Sequence, residues 1–233
     1  MFSISAWEQI MNGFDFSVLT DLLLSAVPAL LCITLHELCH GLVAYLLGDD
    51  TAKRAGRLTL NPLKHIDPMG LLMLVVAHVG WAKPVPVDMR SFENPKRGMA
   101  LTALAGPVCN LVLAALFLFL YGLAFPFAVR RGTSLALTLV QLLYVTAHLS
   151  LGLGLFNLLP IPPLDGSKVL FSVMSDESYV KLMRYERYGI ILLFALAFLG
   201  VTGRLLSGAI NAAFDLLWPL AEFGASLTYP LIS

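Results

Sequence analysis

Long apolar stretches are the feature that most constrains how this chain folds. A helix needs about 20 mainly apolar residues to cross about 30 Å of hydrocarbon. Four stretches qualify, at about 18–47, 99–128, 134–158 and 188–203, the last of them short, and a fifth at about 205–224 follows closely. The sequence therefore predicts an α-helical polytopic membrane protein with about five to six transmembrane helices.

Composition supports lipid as the surrounding solvent. Hydrophobic residues make up 58% of the 233 residues and charged residues only 13%, against about 25% charged in an ordinary soluble domain. A soluble chain of this length has too small an interior to bury so much apolar surface. The net charge is zero and no block is strongly basic, so nothing points to nucleic acid as a partner.

The segment after the first span differs in character. Residues 57–60 alternate polar and apolar side chains, and Pro84 and Pro86 favour extended backbone. Between them, the stretch 70–80 is apolar but covers only about half a span. We expect residues 50–97 to form a small insertion of strands and loops at the membrane surface, enclosing a re-entrant segment.

The distribution of lysine and arginine predicts the orientation. Cytoplasmic loops carry an excess of these residues, and loops 48–98 and 159–187 are rich in them. The basic residues on that side are Lys53, Arg54, Arg57, Lys64, Lys83, Arg90, Lys96, Arg97, Lys168, Lys181, Arg184 and Arg187, and those on the other side are Arg130, Arg131 and Arg204. Both large loops are thus predicted in the cytoplasm and the N-terminus outside.

A metal-binding pattern lies inside the first span. His36-Glu37-Leu38-Cys39-His40 has the form HExxH. Because each helical residue turns about 100°, both imidazoles face one point and the Glu37 carboxylate lies beside it. Two histidines would bind Zn²⁺ and Glu37 would act as general base toward a metal-activated water. Ionisable groups at this depth cost about 2.5–3.5 kcal/mol each on insertion scales, which a divalent metal would offset.

A third ligand is expected because catalytic zinc sites keep three protein ligands and one open position. Asp165 follows a stretch, 157–164, whose prolines abolish regular helix. Asp165 is either this ligand or an N-cap for the helix that starts near Ser167. Asn157 either donates to a substrate carbonyl or developing oxyanion, or caps the broken helix. Spacing alone leaves both pairs of alternatives open.

Several motifs together resemble the site-2 protease family of intramembrane zinc metallopeptidases. They are the HExxH motif, residues 157–166 (NLLPIPPLDG), residues 80–87 (GWAKPVPV) and residues 103–110 (ALAGPVCN). The last two resemble the compact prokaryotic branch, which implies a multi-pass protein of a prokaryotic plasma (inner) membrane. The resemblance implies that His36, His40 and Asp165 hold zinc, that Glu37 is the base, and that Asn157 helps to place the substrate or its transition state.

Many members of that family carry a PDZ domain, and no stretch here could hold one. We therefore expect a single domain over 1–233, with a catalytic core at about 18–175 and C-terminal helices at about 188–224. The expected substrates are transmembrane or membrane-proximal segments of proteins in the bilayer. The regions 50–68 and 81–88 are the expected edge on which an extended peptide docks.

Two other functions remain open at this stage. Broken helices with polar groups at mid-membrane also occur in transporters, although the chain has no internal repeat. A membrane protein that binds zinc without cleaving is the second alternative, and iron or cobalt could replace zinc at such donors. Of the remaining histidines, His65 is expected to be structural, His148 to assist by hydrogen bonding, and His78 to face a cavity.

Overall fold

The computed structural model describes residues 16–77, 80–175, 177–179, 188–189, 191–196 and 199–231. The described part is mainly helical. Its α-helices are α1 (Phe16–Leu46), α2 (Thr51–Arg54), α3 (Pro68–Ala77), α4 (Pro95–Arg131), α5 (Ser134–Asn157), α6 (Asp165–Ser172) and α7 (Val201–Thr228). Short 3₁₀ turns lie at Pro62–Lys64, Met89–Ser91 and Tyr229–Leu231.

Three helices are long and apolar enough to cross a membrane: Leu24–Leu46 within α1, all of α4, and all of α5. They confirm the three spans predicted at about 18–47, 99–128 and 134–158. At 1.5 Å per residue, the 37 residues of α4 extend about 55 Å, well beyond about 30 Å of hydrocarbon. The polytopic helical class is therefore confirmed.

The C-terminal spans are not confirmed. A turn at 199–200, with Gly200 at a φ of 68°, interrupts the stretch predicted as a span at about 188–203. Residues 190, 197 and 198 of that stretch lie outside the described residues. The 28-residue helix α7 contains the stretch 205–224, but it is not among the three helices that meet both the length and the hydropathy required of a span.

Helix α4 is the centre of the described bundle. It packs against α1, α5, α6 and α7. Asn94 begins α4 by accepting a hydrogen bond from the Arg97 backbone, and Gly132, in the left-handed conformation, ends it. Thr133 then caps α5. This two-residue link makes α4 and α5 antiparallel neighbours.

The insertion after α1 contains no β-strand in residues 50–77 and 80–97. The stretch 51–54 is the short helix α2, and the pairing that remains is an isolated antiparallel bridge between Ile66 and Ala82. Side-chain contacts take the place of a strand ladder. The buried Arg57 donates to the Lys83 carbonyl at 2.6 Å.

The segment 81–88 is largely extended, as its prolines require, and three of its N–H groups already have acceptors. Those of Lys83, Val85 and Asp88 donate to the His65 carbonyl, Glu37 and Asp49. Pro84 and Pro86 have no N–H to offer. An added strand pairs with both the N–H and the C=O groups of an edge, so docking of an extended peptide on this segment stays a prediction.

Close packing of α4 on α7 gives a test of the fold. A Cβ at Gly122 would overlap the Ala221 carbonyl, whereas a Cβ at Gly203 would meet nothing within 4 Å. Gly122→Ala should lower the free energy of unfolding by about 1–3 kcal/mol. The matched Gly203→Ala change should be neutral or stabilising, because alanine favours helix. Thermal unfolding in detergent measures both, and equal effects would contradict this helix packing.

Candidate metal centre

Two histidines on α1 form the first half of the candidate site. His36 and His40 are one helical turn apart, so their side chains leave α1 on the same face. Both are buried, with 5% and 8% of their surface exposed. Their Nε2 atoms are 3.0 Å apart, and the rings meet edge to face. Two imidazole nitrogens thus point at one place inside the protein.

Asp165 completes the group from the other side. It is the first residue of α6 and is buried. Its Oδ2 lies 3.2 Å from His36 Nε2 and 3.1 Å from His40 Nε2. The first residue of a helix is past the N-cap position, and no side-chain cap is present at Leu164. The capping alternative for Asp165 therefore does not describe this structure.

The three distances match those of a tetrahedral metal site. Metal bonds of about 2.0–2.1 Å at tetrahedral angles place ligand atoms about 3.3 Å apart, and the three ligand atoms here are 3.0, 3.1 and 3.2 Å apart. Within the described ranges, these three residues form the one group of histidine, cysteine or acidic side chains that could hold a metal ion. Two imidazoles and a carboxylate suit a divalent transition metal.

Backbone contacts orient one of the two histidines. His40 Nδ1–H donates to the Thr102 carbonyl of α4 at 2.7 Å. This bond fixes the tautomer and leaves Nε2 with a free lone pair, as a metal ligand requires. His36 Nδ1 is buried and has no partner in the described part of the chain.

Gly106 of α4 lies directly against the ligands. A Cβ at this position would come within 2.6 Å of Cε1 of both His36 and His40, and closer still to His40 Nε2. Real Cβ contacts are never so short. The backbone of α4 therefore approaches the metal-binding atoms at a place where only glycine fits. The sequence alone does not predict that Gly106 lies against the two imidazoles.

Glu37 is held by the extended segment. Its Oε2 accepts a hydrogen bond from the Val85 backbone N–H at 2.8 Å. Because Val85 stands between two prolines, its N–H is the only backbone donor among residues 84–86. Val85 is itself buried. The sequence does not predict this contact, because a backbone N–H is not specific to any residue type.

Asn157 is not joined to the three ligand residues by any described contact. It is the last residue of α5, and its Nδ2 donates to the Leu153 carbonyl of the same helix at 2.9 Å. Lys168, by contrast, lies near the centre. Its Nζ is 3.8 Å from Asp165 Oδ1, the oxygen that faces away from the histidines.

The other histidines lie elsewhere. The His65 ring pairs with the Thr59 carbonyl at 3.0 Å, inside the insertion. His148 is exposed on α5 and packs beside the rings of Tyr144 and Phe214. His78 lies outside the described residues. The described hydrogen bond of His65 is thus within the insertion, and the described contacts of His148 are aromatic.

The fold and the site together define a helical membrane protein with a buried His–His–Asp cluster. The sequence profile of peptidase family M50 matches residues 25–200. The chain belongs to peptidase family M50, the site-2 protease family, as its motifs suggest.

Similar proteins in bacteria agree with this assignment. A protein of Bacillus subtilis (strain 168) named "Putative zinc metalloprotease YwhC" is 38% identical over 205 residues, which cover 88% of this chain and 94% of that protein. A protein of Mycolicibacterium smegmatis named "Putative zinc metalloprotease Rip2" is 32% identical, over 86% of this chain and 73% of that protein. No solved structure matches the chain significantly.

The closeness of Gly106 to the ligands predicts a specific defect. Gly106→Ala should abolish stoichiometric metal binding, because the added methyl group displaces both imidazoles. Gly152→Ala, also in a candidate spanning helix, is the matched control, since its Cβ would make an ordinary 3.4 Å contact with Ile210. Metal analysis of both purified variants is the measurement. Full metal content in Gly106→Ala would show that α4 does not approach the site this closely.

Proposed function

We propose that the protein is a zinc-dependent endopeptidase that cleaves peptide bonds in transmembrane or membrane-proximal segments of other proteins. The observation that carries the proposal is the convergence of His36 Nε2, His40 Nε2 and Asp165 Oδ2. The two similar bacterial proteins described above, both named as zinc metalloproteases, support the choice of metal and of reaction.

His36, His40 and Asp165 are the proposed zinc ligands. Three protein ligands leave a fourth position open for water or substrate, which is typical of catalytic rather than structural zinc. When bound, zinc supplies a Lewis acid and lowers the pKa of water to about 7. The Asp165 carboxylate offsets positive charge, and its second oxygen lies near Lys168.

Glu37 is the proposed general base. It follows His36 on α1, so its carboxylate leaves the helix beside the ligands rather than among them. The bond from Val85 holds Oε2, and no hydrogen bond to Oε1 is present among the described residues. We propose that Oε1 takes the proton from the attacking water and later returns it to the leaving amine.

Asn157 is the proposed residue for placing the substrate carbonyl. One of the two Nδ2 protons donates to the Leu153 carbonyl of its own helix, which leaves the second to donate to a substrate carbonyl. The location at the end of a candidate span, beside the proline-rich loop 158–164, supports access to a peptide. Irregular backbone at membrane depth is tolerated where it lines a wet cavity.

The depth of the cluster supports cleavage at the membrane. His40 and His36 lie 6 and 10 residues before Leu46, which corresponds to about 9–15 Å along the helix.

We propose a multi-pass plasma-membrane protein with its N-terminus outside and its site open to the cytoplasm, as the basic loops indicate. We also propose that the chain acts as one catalytic unit. Transport does not require a general base such as Glu37 beside three metal ligands, so this arrangement favours a protease over a transporter.

Replacing Glu37 tests the reaction. Glu37→Gln keeps the size of the side chain and removes its basicity, so cleavage of model transmembrane substrates should fall at least about 100-fold. Zinc content should stay at the wild-type level, because Glu37 is not a ligand. The measurement is cleavage by purified protein in detergent, with metal analysis. Undiminished cleavage by Glu37→Gln would refute the proposed mechanism.

Removing the Val85 N–H tests how Glu37 is held. Val85→Pro deletes this donor and keeps the backbone extended, and it should lower kcat by about 10–100-fold through misplacement of the base. Val85→Ala keeps the N–H and is the matched control. Zinc content should be unchanged in both. If the two variants cleave equally well, the contact with Glu37 has no role in catalysis.

A further inference from the structure

One face of α1 and one face of α4 meet at the metal centre and continue past it. Residues four apart share a helical face, and those that form the two faces are Cys32, His36 and His40 on α1 and Thr102, Gly106 and Asn110 on α4. The contacts of His40 with Thr102, and of Gly106 with both histidines, fix their alignment. The two faces are antiparallel, so Asn110 falls at the level of His36 and Cys32.

A third helix closes the same junction. The Ser150 hydroxyl of α5 donates to the backbone carbonyl of Asn110 at 2.8 Å. The Cys32 thiol, one turn from His36, donates to the Thr146 backbone carbonyl of the same helix α5 at 3.7 Å. A Cβ at Gly154 would come within 3.2 Å of the Asn110 Cβ. Asn110 therefore lies where α1, α4 and α5 meet, one turn beyond the metal ligands.

Unpaired polar atoms stand on both sides of this junction. Asn110 is fully buried, and in the described part of the protein neither its Oδ1 nor its Nδ2 has a partner. His36 Nδ1 is also buried and has no hydrogen-bond partner among the described residues. Buried polar groups without hydrogen bonds are strongly unfavourable, and more so among apolar helices. A buried water with two or more polar partners is the usual solution.

We propose that Asn110 is the positioning residue of His36. Its Oδ1 accepts from one buried water, which in turn accepts the Nδ1 proton of His36. The chain fixes the tautomer of His36 in this way and directs the lone pair of Nε2 to the metal, as the Thr102 carbonyl does for His40. The inference rests on the metal site proposed above.

The chemistry of the side chain supports this role over packing. An apolar residue of similar size, such as leucine, would fill the junction without leaving two polar atoms unpaired. An amide is instead suited to a water, since it offers an acceptor and a donor at once. Partners that orient ligand histidines typically change metal affinity 10–100-fold when they are removed.

Zinc affinity of the full-length protein in detergent, measured by competition with a chromophoric chelator, tests the inference. Asn110→Leu, and Asn110→Ala as a second variant, should weaken zinc binding about 10–100-fold. Asn110→Asp keeps an acceptor oxygen and should retain an affinity close to wild type. Thr146→Val is the matched control, because Thr146 is equally buried in this region but donates to the Leu142 carbonyl of its own helix.

A double-mutant cycle separates positioning from general damage. In a His36→Ala background, Asn110→Leu should cause no further loss of affinity, whereas in a His40→Ala background it should cause the full loss. Wild-type affinity in Asn110→Leu, or an equal loss in both backgrounds, would overturn the inference while leaving the metal site intact. Failure of the unaltered protein to bind zinc would instead refute the proposed function.

Discussion

The convergence of two imidazoles and a carboxylate inside a helical bundle is the interaction on which the rest of the structure depends. Ionisable groups within hydrocarbon are costly unless they are paired. Here His36, His40 and Asp165 come from α1 and α6, and their ligand atoms are 3.0–3.2 Å apart. α4 is the helix that packs against both α1 and α6, so its position determines whether the three can meet.

The surroundings of the site are built largely from backbone groups. A carbonyl of α4 orients His40, the absence of a side chain at Gly106 makes room for both rings, and the Val85 N–H holds Glu37. Backbone groups are rigid because the helix or the flanking prolines fix them. They therefore position the ligands and the base without the loss of side-chain entropy that other partners would incur.

Much of this could be predicted from the sequence, and the reasons for the rest are physical. The first three spans follow from the length of their apolar stretches. The HExxH motif predicts that two imidazoles share a helical face. The position of Asp165 beside the histidines depends on tertiary structure. The proline-rich loop before it does not indicate where in the protein the chain after the loop lies. The alternation at 57–60 suggested a strand, but these residues form none, and the buried Arg57 side chain donates to the Lys83 carbonyl instead. Gly106 and Val85 act through backbone, which composition and motifs do not reveal.

X-ray absorption at the zinc edge of the purified protein tests the central claim most directly. The account predicts one zinc per chain with imidazole nitrogen and carboxylate oxygen neighbours at about 2.0–2.2 Å. It also predicts no sulfur neighbour at about 2.3 Å, although Cys39 lies within the HExxH motif. A sulfur neighbour, or an unchanged spectrum in Asp165→Asn, would contradict the assignment of His36, His40 and Asp165 as the ligands.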